Sequence, residues 1–176
     1  MLQPGDQFLT NHGRIITPII NTAQRIKSKD GKAKYSHAGL IIDSKGNTFE
    51  ARIYLGEYDL SRYIGSEVFI YRHICMNKKT FDKYYPTLRD ECIGKIYPFY
   101  RLGFHAFPYL SKWAPFNRGV CSEKNDKFNY MCEFSPGWKG TTPDNLYDRV
   151  CDQWADQWEV IFDGILTSEE YIRLTK

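Results

Sequence analysis

The sequence predicts an α+β fold. Three observations carry this. Strand-like segments cluster between residues 36 and 72, helix-compatible segments lie mostly outside them, and several of those segments carry recognisable start signals. The chain has 176 residues, 42% hydrophobic and 26% charged, enough to bury a real core without disulfides or metals. One domain over residues 1–176 is therefore expected.

The elements follow in chain order. A turn-like QPGD precedes a short apolar strand over Gln7 to Leu9. Residues 13–27 place apolar positions at roughly helical spacing, with Pro18 forcing a late start or a kink. Residues 36–42 and 47–54 read as two strands around the turn DSKGN, and residues 67–72 as a third with alternating apolar positions. Asn77 is placed to cap a helix running towards Cys92 through Pro86. Tyr97 to Phe116 is dense in aromatics, glycine and proline without a clean period, which predicts a long structured loop. Residues 120–133 fit a helix. Thr142 and Pro143 read as an N-cap and first helical position, residues 158–163 as a last strand, and SEEYIRL as a short C-terminal helix.

The totals exclude several classes. A net charge of +3 gives no basic footprint for nucleic acid. No apolar run approaches the ~18 residues that span a bilayer, and MLQPGDQFLT lacks the basic and apolar regions of a signal peptide. A cytoplasmic protein is expected, one that can still leave its cell by lysis or inside a particle. The five cysteines, Cys75, Cys92, Cys121, Cys132 and Cys151, are odd in number and include no CxxC or zinc-spaced cluster, which points to a reducing compartment.

Two segments about seventy residues apart carry the candidate chemistry. YSHAGLIIDSKGNTFEA holds His37 and Glu50, and RGVCSEKNDKF holds Cys121. A cysteine at a helix start feels the positive end of the helix dipole and free N–H groups, both of which favour the nucleophilic thiolate. His37 sits among small residues on its strand, leaving room for another element to approach its ring. On the following strand Glu50 can hold the imidazole tautomer if the hairpin register puts both on one face. Asp43 and Asn47 fall in the turn and are less well placed, and His105, in the aromatic loop, is the second choice of base. The other four cysteines read as packing residues. The same three side-chain types can hold zinc with one open position, but without ligand spacing the expectation is no metal and no cofactor.

Taken together, PGD, SHAGLII, FEA, GKIYPFY, VCSE and TTPDNL, from about Pro4 to Leu146, resemble the circularly permuted, YiiX-like branch of the NlpC-type papain-superfamily peptidases. The resemblance implies an antiparallel sheet packed on a Cys-bearing helix, with Cys121 as nucleophile, His37 as base and Glu50 as third member. It also implies that Tyr97, or the nearby Tyr100, lines the oxyanion site, and that Ser122, at the helix start with Glu123, belongs to the oxyanion or substrate-binding residues in a supporting role. Two departures stand out: Tyr97-Pro98 replaces a common Tyr-Asp pair, and KNDKF follows VCSE where apolar residues are usual.

The implied function is a cysteine-dependent amidase or peptidase, directed at cell-wall peptides, that works through a thioester. The alternatives are a lipid-directed thiol acyl hydrolase or acyltransferase, and a binding module that keeps the fold without catalysis. The expected partner is a peptide or acyl substrate, and oligomeric state is not legible.

Overall fold

The structure is a computed structural model that describes residues 1–11, 33–96, 121–137 and 141–176. Its centre is a six-stranded antiparallel sheet. The strands are β1 (Gln7–Thr10), β2 (His37–Ile41), β3 (Asn47–Ala51), β4 (Leu55–Asp59), β5 (Glu67–His73) and β6 (Trp158–Ile165), in the spatial order β4-β3-β2-β1-β5-β6. The described helices are α1 (Lys78–Cys92), α2 (Cys121–Met131), α3 (Pro143–Asp148) and α4 (Ser168–Thr175). The expected α+β class is the one found.

Two apolar clusters flank the sheet. On one side Leu9, Ala38, Leu40, Phe49, Phe69 and Tyr71 meet Phe81 and Leu88 of α1, Phe128 of α2 and Leu146 of α3. On the other, Phe8, Ile41, Val68 and Ile70 are covered by Leu2, by Leu60 and Tyr63 of a 3-10 turn (Leu60–Tyr63), and by Leu166 and Leu174. Alternation along each strand produces this division, since successive side chains point to opposite faces.

Local chemistry fixes the parts that matter for the site. In the β2–β3 turn the Asp43 carboxylate accepts the backbone N–H groups of Lys45 (2.9 Å) and Asn47 (3.0 Å), and Gly46 supplies φ +89°. This turn sets the pairing Ile41↔Thr48, Leu40↔Phe49, Gly39↔Glu50. A slip of one residue would send Glu50 to the opposite face. Asp6, after the first turn, is fully buried and takes the Arg72 guanidinium through Nε (2.6 Å) and a second nitrogen (2.9 Å), tying β1 to β5.

The caps expected at Asn77 and Thr142 are present. Asn77 accepts from the Thr80 N–H at 3.0 Å, and Thr142 forms a reciprocal capping box with Asn145 ahead of Pro143. Pro86 lies inside α1 without ending it.

Two expectations differ from the structure. The strand after the turn stops at Ala51, and a further strand, β4, follows at Leu55–Asp59. Its sequence LGEYD offers one fully buried position, so no apolar alternation marks it. Cys75, expected to pack, is exposed, while Cys92 and Cys132 are buried and Cys151 is half-buried. The helix expected over residues 13–27 and the aromatic loop of 97–116, with Tyr97, Tyr100 and His105, lie outside the described residues.

Candidate active site

The sheet and α2 bring His37, Glu50 and Cys121 together. His37 is the first residue of β2, and Glu50, opposite Gly39, shares its face. His37 Nε2 lies 2.6 Å from Glu50 Oε2. The ring also hydrogen-bonds the Cys121 thiol. With Nε2 engaged by Glu50, Nδ1 is the nitrogen left to face the sulfur.

Glu50 is buried, and every observed partner is a donor to its carboxylate. Oε2 receives the Tyr63 hydroxyl as well as His37, and Oε1 receives the Thr48 hydroxyl at 3.1 Å. Burial alone would push this carboxyl up, but His37 and Tyr63 outweigh it and hold it below its ordinary value. Glu50 is thus an anion fixed in place. Sequence reasoning missed Tyr63 and Thr48. Thr48 was findable, two residues before Glu50 on the same strand face, whereas nothing local marks Tyr63, which arrives from the 3-10 turn.

The Cys121 sulfur sits at the first residue of α2. Burial would raise its pKa, but the His37 hydrogen bond and charge, with the backbone N–H groups of Ala38 and Ser122, bring it below the ordinary thiol value. For His37 the sign is opposite. Burial would lower it, and Cys121 first, then Glu50, raise it to about 10. The two shifts have one origin: each group favours the charged form of the other, thiolate beside imidazolium.

The helix is held against β2 by polar contacts. Asn125 Nδ2 donates to the Gly39 carbonyl at 2.8 Å, and Asn129 exchanges hydrogen bonds with Gln7 of β1. Asn125 belongs to the polar run KNDKF and Asn129 follows it, at positions where the family it resembles is usually apolar: the helix docks by hydrogen bonds as well as by Phe128. Ser122 does not aim its hydroxyl at the sulfur. It donates to the Thr141 carbonyl at 2.7 Å and anchors the helix start. Gly39 has no room for a side chain, because a Cβ there would lie 2.3 Å from the Phe8 ring. That ring packs edge-on against His37 at 6.2 Å.

The remaining described histidine reads as a core residue. His73 is buried, stacks on Phe134 at 3.7 Å, and is pushed down by burial.

Comparison with solved structures finds the metalloprotein YiiX from Escherichia coli O157:H7, with a TM-score of 0.55 and 16% identity over 97% of this chain and 91% of that one. The fold is YiiX-like. Neither protein families nor curated protein sequences give a match. YiiX is described as a metalloprotein. Among the described residues no group of three or more His, Cys, Asp or Glu is disposed to hold one. At the site itself, Glu50 directs its oxygens at His37, Tyr63 and Thr48, and His37 Nε2 faces that carboxylate. The lone pairs do not converge on a common point, and these residues do not fit a metal ion. Among the described residues no helix is long and apolar enough to cross a membrane.

Proposed function

We propose that this protein is a cysteine-dependent acyl hydrolase, acting on amides or peptides through Cys121, His37 and Glu50, and that residues 1–176 form one such domain. The observation that carries it is the doubly engaged His37 ring, bonded to a buried carboxylate on one nitrogen and to a helix-start thiol on the other. That is the connectivity a nucleophile, its base and an orienting acid require.

In the proposed reaction the Cys121 thiolate attacks a carbonyl carbon. The developing oxyanion takes hydrogen bonds from free N–H groups at the start of α2, with Tyr97 contributing as the family resemblance implies. Protonated His37 gives its proton to the leaving nitrogen, which departs and leaves a thioester. His37 then removes a proton from water as the water attacks that thioester, and the acid product leaves with the thiolate regenerated. Glu50 keeps the ring oriented and stabilises its charged form. A cell-wall peptide amide is the substrate favoured by the resemblance to NlpC-type peptidases; a lipid acyl group uses the same steps.

The test is the pH dependence of alkylation at each cysteine, followed by mass spectrometry in wild type and His37→Ala. Cys121 is expected to react well below pH 7, ahead of the other four, and to lose that lead without His37. A Cys121 that titrates near ~8.5 in both proteins would leave the non-catalytic binding module as the better reading.

A further inference from the structure

Arg52 stands next to this site, and among the described residues its guanidinium has no hydrogen-bond or ion-pair partner. It follows β3 directly, at a bend of the chain two residues beyond Glu50. Burial raises the Tyr63 hydroxyl and the Arg52 charge opposes that rise; at Glu50 the same charge adds to the lowering led by His37 and Tyr63. Yet the Glu50 oxygens are taken by His37, Tyr63 and Thr48, and Arg52 Nη1 is buried with no hydrogen-bond acceptor.

A second guanidinium shares its surroundings. Arg52 and Arg62 both pack over the Tyr58 ring, at 5.9 Å and 4.8 Å from its centroid. Arg62 also acts on Tyr63. Among the described residues no carboxylate lies within ion-pair distance of either arginine. Two like charges on one ring repel each other, and a buried guanidinium N–H without an acceptor is destabilising. An anion bound between them would remove both penalties, and the guanidinium fork matches the two oxygens of a carboxylate or phosphate.

We propose that Arg52 and Arg62 form a subsite beside Cys121, His37 and Glu50 that binds a carboxylate or phosphate group carried by the substrate. This deepens the hydrolase reading and rests on it for the word substrate. It selects, among acyl compounds, those with an anionic group close to the scissile bond. Glu50 and Asp59 are the carboxylates whose fields the two arginines reach, and both are already satisfied by other donors.

The test uses the full chain and two alkylating reagents that differ by one charge, iodoacetate and iodoacetamide. Their rates are compared at Cys121 and at exposed Cys75 in wild type, Arg52→Gln, Arg62→Gln and the double variant. The iodoacetate-to-iodoacetamide ratio cancels changes in thiolate reactivity. That ratio at Cys121 is expected to fall about tenfold in the double variant, the loss of one charge-assisted contact, and to stay constant at Cys75. Glutarate and inorganic phosphate are titrated calorimetrically in parallel. Binding to wild type that is lost in the double variant supports the subsite, and whichever anion binds identifies the substrate group. An unchanged ratio with no variant-sensitive binding of either anion overturns it. If Cys121 resists both reagents, the nucleophile reading fails and the anion titrations alone decide the subsite.

Discussion

Replacing Glu50 by glutamine is expected to lower the pKa of His37 by about two pH units while the protein stays folded. The magnitude follows from the contact. His37 Nε2 and Glu50 Oε2 are 2.6 Å apart, which sets the two charge centres about 4 Å apart, where opposite charges interact by about 4 kcal/mol at an effective dielectric of ~20. At about 1.4 kcal/mol per pH unit this is roughly three units. Tyr63 and Thr48 already draw on the same carboxylate, which reduces the effect on the ring to about two. From a starting value of about 10, His37 in Glu50→Gln would still be protonated at pH 7. Glutamine keeps an acceptor oxygen for Tyr63 and His37, so the local structure survives. Because the Cys121 bond raises His37 more than Glu50 does, Cys121→Ala is expected to lower the value further. The assay is an NMR titration of the imidazole signals, with His37 assigned among four histidines by its absence in His37→Gln. A wild-type His37 that titrates near 6.5, or one unmoved by Glu50→Gln, refutes the reasoning.

Tyr63→Phe removes a donor from a buried carboxylate and is expected to cost about 1.5–3 kcal/mol in urea denaturation at pH 7, with the loss shrinking in acid as Glu50 becomes protonated. An undiminished loss at low pH would mean packing, not the hydrogen bond, is responsible. Gly39→Ala puts a methyl group into the Phe8 ring and should destabilise by about 1–3 kcal/mol, with partial recovery in Gly39→Ala/Phe8→Leu. Thr142→Ala loses the capping box of α3 and is expected to cost about 1 kcal/mol, read as a lower Tm. For pH, His37 contributes stability present in full below its unfolded value of 6.5 and lost as pH rises through about 10. Cys121 contributes stability present above its unfolded value of 9.0 and lost as pH falls through its lowered folded value. Between 9 and 10 the unfolded pair has lost both protons while the folded His37 still holds one, so the stability advantage over Cys121→Ala/His37→Gln should decline by about 1.4 kcal/mol per pH unit across that window; a featureless difference would count against the ion pair.

Much of the fold was legible because its signals are local. Asn77, Thr142 and the DSKGN turn declare themselves through side chains that bond their own backbone a few residues away, and such contacts survive in a one-dimensional reading. β4 was not legible, because its order comes from pairing with β3 rather than from its own residues. The site divides in the same way. His37 and Glu50 are linked by a hairpin whose register the turn sets, so their meeting could be argued from the sequence. That Cys121 joins them depends on α2 docking through Asn125 and Asn129, long-range contacts that nothing in KNDKF reveals. Tyr63 likewise depends on the 3-10 turn, which Asp59 caps at Ser61 and which Tyr171 of α4 steadies through a 3.1 Å hydrogen bond to Asp59.

The energetics of this arrangement bear on what it is for. A carboxylate, an imidazolium and a thiolate are gathered into a nearly dry space, and a buried charge set of this kind is generally no more stabilising than well-packed apolar residues of the same volume. Around it the chain adds further polar burial: Asn125, Asp126 and Asn129 all lie on the inward side of α2. A helix selected only to hold the sheet would carry leucines there. Asparagines instead fix the distance between the helix start and β2 through directional bonds, Asn125 to the carbonyl of Gly39 and Asn129 to Gln7. Directional contacts constrain position more tightly than apolar ones, and position is what a hydrogen bond between Cys121 and His37 needs. The stability given up on this face of α2 is thus best understood as the cost of holding a thiol at a fixed distance from an imidazole.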